Sequence, residues 1–153
     1  MSDPNVERWR QKGEVFLWRY RDKPRNFPGW HLTASAEGAA SLLELLRLMR
    51  DARYASKQIV TISDPTPRIL RVPNYIRGVG QWRSAERWQL SYAKGRAEPG
   101  EWKLVFTGKE LQLSVGETYL LKLIKGVEDV SRGIGDYSIS GDDAGFHECI
   151  WFW

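Results

Sequence analysis

Two stretches of this chain carry the same apolar stripe: "LLELLRLMRD" (42–51) and "LLKLIKGVED" (120–129). In the first, Leu42, Leu45, Leu46 and Met49 fall at i, i+3, i+4 and i+7; in the second, Leu120, Leu123, Ile124 and Val127 do. That spacing puts the apolar side chains on one face of a helix, so the fold must bury two amphipathic helices. Thr33 or Ser35 can cap the first helix and Ser114 the second, each offering a side-chain oxygen to free N–H groups.

The flanks of the two helices also match. Gly13-Glu14 opens "VFLWRY" and Gly100-Glu101 opens "WKLVFT". After the helices come "TIS-DPTP-RILRV" (61–72) and "SIS-GDDAG-FHECI" (138–150), each read as a strand, a turn and a second strand. The triplet Glu7-Arg8-Trp9 recurs as Glu86-Arg87-Trp88. The pattern predicts an α+β fold, a mostly antiparallel sheet with two helices on one side, built by tandem ββαββ duplication. Residues 1–153 then form one domain of two pseudo-repeats, about 6–77 and 85–153, joined by "PNYIRGVGQWRSA" (73–85). Leu46 is set beside the equivalent of Ile124. Neither unit alone buries much core, so the two are expected to share a sheet or an interface.

Composition narrows the class. The chain is 42% hydrophobic and 27% charged, enough apolar material for a core. No apolar run is long enough to span a bilayer, and the opening "MSDPNVERWRQK" has no signal-peptide core. Cys149 is the single cysteine, so no internal disulfide framework exists. These features fit a cytoplasmic protein with no membrane partner. Charge is uneven: residues 1–96 hold 18 Lys/Arg against 9 Asp/Glu, and residues 97–153 hold 5 against 10. Such asymmetry suits a basic binding surface, or attraction between the halves, within one fold or between two copies in a homodimer.

Catalytic and metal signatures are sparse. His147 and Cys149 lie at i and i+2, which is neither a four-ligand zinc set nor an oriented Cys–His nucleophile pair. Asp136, Asp142 and Asp143 sit around a predicted turn, where Asp and Gly serve the backbone. The paired glycines of "RGVGQ" and "RGIG" lack the residues of a phosphate loop, and Gly133 reads as a helix stop. No cofactor or metal is expected.

What stands out is arginine interleaved with aromatics: "RWR" (8–10), "WRYR" (18–21), "PRNFPGWH" (24–31) and "QWRSAERW" (81–88). Within "FLWRYR", Phe16, Trp18 and Tyr20 share one strand face. Aligning the strands puts Val15, Leu17 and Arg19 with Trp102, Leu104 and Phe106, which face the helix. The aromatic row then lies on the opposite sheet face, either covered, for instance by "CIWFW", or open for contact. The loop "RDKPRNFPGWH" (21–31) is longer than its counterpart "GKE" (108–110), as functional loops on rigid scaffolds often are. The expected binding residues are Trp18, Arg19, Arg21, Arg25, Phe27, Trp30 and His31. The expected function is non-catalytic protein–protein binding of inhibitor, immunity or adaptor type, since Trp, Tyr and Arg dominate interface hot spots. A nucleic-acid-binding module using the basic first half is the alternative. A hydrolytic enzyme with a scattered Asp/His/Arg site is the third.

Overall fold

The computed structural model describes residues 3–20, 28–72, 82–95, 98–141 and 148–153. The elements run α1 (Pro4–Arg8), β1 (Val15–Tyr20), β2 (Trp30–Ala34), α2 (Ala36–Asp51), β3 (Ser56–Thr61), α3 (Pro67–Leu70), β4 (Trp82–Ser84), β5 (Arg87–Tyr92), β6 (Trp102–Phe106), β7 (Glu110–Val115), α4 (Glu117–Ser131), β8 (Tyr137–Ile139) and β9 (Ile150–Phe152). The fold is α+β. No helix among the described residues is long and apolar enough to cross a membrane.

Both helix stripes are buried as their spacing requires. The Ser35 hydroxyl caps α2, accepting from the Gly38 N–H at 3.0 Å. For α4 the expectation of a Ser114 cap fails: Gly116 is the N-cap and no side chain bonds the first turn. Gly133, at φ +71°, follows Arg132 and stops α4 in the left-handed region, as the sequence suggested.

The strands form two sheets rather than one. A five-stranded sheet runs β4-β1-β2-β9-β8 and a four-stranded sheet runs β3-β5-β7-β6. Five of the seven pairings are antiparallel; β2 with β9 and β5 with β7 are parallel. One face of each sheet meets α2 and α4 in a common core. Leu17, Trp30, Leu32, Ile150 and Phe152 enter it from the first sheet, and Trp88, Leu90, Leu111 and Leu113 from the second.

The sheets share one connectivity. In the first, β1 is antiparallel to β2, β2 parallel to β9 and β9 antiparallel to β8. In the second, β6 is antiparallel to β7, β7 parallel to β5 and β5 antiparallel to β3. Each hairpin thus pairs with strands that follow the other helix. The helix starts match too: the Ser35 and Gly116 N–H groups donate to the Glu14 and Glu101 carbonyls, both at 3.0 Å. Counted from these caps, Leu46 corresponds to Val127, one turn beyond the Ile124 that the stripe alignment chose.

The units drawn from sequence, 6–77 and 85–153, do not fit this plan. Residues 32–72 run strand, helix, strand, helix, whereas 113–152 run strand, helix, strand, strand. "RILRV" is not a strand. Thr66 caps α3 through its hydroxyl, which accepts from the Ile69 N–H at 3.3 Å, and Pro67 occupies the first turn. The strand in the position of β9 is β5, beyond the proposed linker start. The Glu-Arg-Trp echo also lapses, because Glu7 and Arg8 end α1 while Arg87 and Trp88 open β5.

Helix α3 covers the outer face of the first sheet. Leu70 and Ile69 pack with Phe16, Trp18, Tyr20, Trp82 and Trp153 in a second apolar cluster. The Tyr20 hydroxyl donates to the Leu70 carbonyl at 2.8 Å, tying α3 to β1. Of the two readings of the aromatic row, the covered one is therefore the one the structure has, and Trp153 of "CIWFW" takes part in the cover.

Candidate functional site

The parity of β1 decides where each candidate side chain lies. Val15, Leu17 and Arg19 point toward the helices, while Phe16, Trp18 and Tyr20 point toward α3. On the next strand Trp30 lies in the main core, and His31, opposite Trp18, faces the aromatic side. The predicted set is thus split between two faces. Trp18 and His31 are both fully buried, their rings stacked 5.5 Å apart. Trp153 Nε1 donates to His31 Nδ1 at 2.9 Å, and the Tyr20 ring meets the imidazole edge-on at 5.2 Å. These residues fasten β9 and α3 to the sheet. Arg21, Arg25 and Phe27 lie outside the described residues.

Arg19 reaches the surface at the junction of the two sheets. Its guanidinium carbon stands 5.2 Å from the Trp30 ring centroid and 4.9 Å from that of Phe106. Trp30 and Phe106 meet edge-on at 4.9 Å. Arg83, directly opposite Arg19 across the β1–β4 ladder, stands 5.1 Å from the same Phe106 ring. Its Nη2 donates to the Gly108 carbonyl at 2.9 Å, joining β4 to the β6–β7 turn. Two guanidinium groups therefore share one phenyl ring.

Like charges directly opposite each other on paired strands repel. Here neither arginine has a carboxylate within ion-pair distance among the described residues. The nearby Glu110 carboxylate is engaged by Arg87 at 3.4 Å and by the Gln112 amide at 2.9 Å. Burial, then the charge of Arg83, holds Arg19 below the usual arginine range. Cation–π contacts offset part of the repulsion and, apart from the Arg83 bond to Gly108, leave the N–H donors without a partner among the described residues.

Sequence reasoning missed Arg83, Phe106 and Gly108. Arg83 did stand in one of the arginine–aromatic stretches, but its position beside Arg19 depends on a β1–β4 pairing 64 positions apart in sequence, which no local pattern encodes. Phe106 was aligned with Arg19 as an equivalent; the matching registers of the two hairpins keep that equivalence, and the two side chains are also in contact.

Chemistry elsewhere is sparse. Among the described residues no three His, Cys, Asp or Glu side chains gather to hold a metal ion. Asp142, Asp143 and His147 lie outside them. Cys149 is buried with Sγ 2.9 Å from the Pro28 carbonyl, and burial pushes its thiol up, away from the thiolate that a nucleophile needs. Comparison with family models, curated proteins and solved structures returns no match to this chain.

Proposed function

We propose that this chain is a non-catalytic binding protein that receives an acidic segment of a protein partner at the Arg19/Arg83 corner. The observation behind the reading is the pair of opposed guanidinium groups on Phe106, with no carboxylate of the described residues within ion-pair distance of either. A Glu or Asp side chain there gains charge-assisted hydrogen bonds and relieves the repulsion. The surrounding Trp30 and Phe106 rings hold the donors in place.

The disposition of tryptophan favours a protein over single-stranded nucleic acid. Stacking unpaired bases needs open ring faces. All eight tryptophans are described; Trp9, Trp18, Trp30 and Trp88 are buried, Trp82, Trp102, Trp151 and Trp153 half-buried, and none is exposed.

The test is fluorescence anisotropy with a labelled Glu/Asp-rich peptide and a labelled single-stranded oligonucleotide, on the full chain and on R19E/R83E. The peptide should bind the parent chain, weaken with salt and fail on the variant. An oligonucleotide that binds where the peptide does not would transfer the reading to nucleic acid. Failure of both would remove the corner from consideration.

A further inference from the structure

Among the described residues, no helix covers the outer face of the second sheet, whereas α3 covers that of the first. Its strand register places Lys57, Ser91, Ser114 and Lys103 side by side, one from each of β3, β5, β7 and β6. By the shared connectivity, the matching row of the first sheet contains Phe16 and Thr33, and there Phe16 bridges to Ser63 just before α3. The first sheet fills this row with aromatic side chains and its own α3. The second lines it with two small hydroxyls between two long cations.

This row lines a groove of about 520 Å³ together with Glu101 and Ala93, among others. Adjacent strands are spaced about 4.8 Å apart, so the two serines are neighbours and the lysines start about 14 Å from each other. Flexible stems let both ammonium groups fold over the serines. Among the described residues neither lysine forms an ion pair, and neither Ser91 nor Ser114 spends its hydroxyl on another side chain. The groove therefore presents two positive charges and two hydroxyl donors to one small group.

We infer that this groove binds a phosphate monoester of a small hydroxylated compound, a sugar or polyol phosphate. A phosphate monoester carries about −1.5 to −2 at neutral pH, which two ammonium groups neutralise; a single carboxylate would leave one unmatched. The serine hydroxyls donate to phosphate oxygens. Glu101 repels a second anionic group but accepts from a neutral hydroxyl, so it selects for an alcohol next to the phosphate. This site lies away from the Arg19/Arg83 corner and does not depend on the reading given to it.

The probe is glycerol phosphate, titrated into the isotopically labelled full chain and followed by amide chemical shifts. Glycerol and inorganic phosphate serve as comparisons. Saturable shifts should centre on Lys57, Ser91, Lys103 and Ser114. K57Q/K103Q, both positions exposed and away from the core, should weaken binding roughly tenfold or more, given the worth of hydrogen bonds to charged groups. E101Q should shrink the disadvantage of inorganic phosphate against glycerol phosphate, because it lifts the repulsion of either anion while weakening acceptance from the neighbouring alcohol. R19E/R83E should leave all of these titrations unchanged. Absence of saturable shifts, shifts elsewhere, or equal binding by K57Q/K103Q would overturn the site. Equal affinity for inorganic phosphate and glycerol phosphate in the parent chain would overturn the ligand class.

Discussion

Trp18 has no exposed surface, so its ring can reach a partner only if the packing around it opens. Its neighbours are Phe16, Leu70 and the partly buried Tyr20, Trp82 and Trp153. Trp18→Ala should cost about 3–5 kcal/mol of folding stability, as large-to-small changes in cores do. Denaturant unfolding would measure this, and an unchanged midpoint would show that the cluster is not cohesive. Asp129 gives a second residue-scale expectation. The Tyr137 hydroxyl at 2.7 Å and, secondarily, Lys125 Nζ at 2.9 Å hold its carboxyl below the usual range. A depressed carboxylate contributes stability above its unfolded pKa, and the contribution fades as pH falls through the folded value. The parent chain should exceed Asp129→Asn in stability at neutral pH, and the gap should close as the solution is acidified below about pH 4. Melting curves across that range would check it; a gap independent of pH would exclude the ionised carboxylate as the cause. None of this was legible locally. The stripe that buries Leu46 in α2 follows from helix periodicity, but Asp129 lies in the other long helix, α4, and nothing near it in sequence announces Tyr137 as its donor.

At the scale of elements, α4 approaches β9 through Gly126. A Cβ added there would lie 2.5 Å from Phe152 Cε1, and that ring is fully buried. Gly126→Ala should therefore destabilise the fold by about 1–3 kcal/mol, the range for overpacking, although alanine is the better helix former. A rise in thermal midpoint would mean that the contact relaxes freely. Element α3 shows how local chemistry can outrank pattern. Arg68 to Val72 carries Ile69, Leu70 and Val72 like a short strand, yet Thr66 followed by Pro67 is a helix start, with a side-chain cap and a residue that needs no N–H. The same logic sets α1, where the Asp3 carboxylate accepts from the Asn5 N–H at 2.9 Å ahead of Pro4. Both starts are readable in the sequence; the α3 start was read as a turn, and residues 3–8 were assigned no element. By contrast, β1 was placed with its faces correctly assigned, because its counterpart "WKLVFT" in the second sheet sets Trp102, Leu104 and Phe106 on one face.

At the scale of the whole molecule, the exchange of strands between halves makes each sheet depend on both. Hairpin β1–β2 is completed by β9 and β8, and hairpin β6–β7 is completed by β5 and β3. This lay outside what sequence could show, since the pairings of β2 with β9 and β3 with β5 join segments on opposite sides of residues 73–81. The helices meet each other as well, so the main core draws on both halves at once. Cleaving the chain within 73–81 therefore separates partners rather than domains. Fragment 1–72 retains β1, β2, α2 and β3, but its hairpin lacks β9 and its β3 lacks β5. Fragment 82–153 keeps β5, β6 and β7 paired, yet loses the β2 neighbour of β9 and the α2 side of the core. Neither should melt cooperatively alone, because each would expose a large apolar face. An equimolar mixture should recover near-ultraviolet aromatic dichroism, chiefly from Trp18, Trp30 and Trp88 in their packed surroundings, together with a single cooperative transition. A lone fragment that melts cooperatively with that aromatic signal would mean the halves fold as independent units and merely associate.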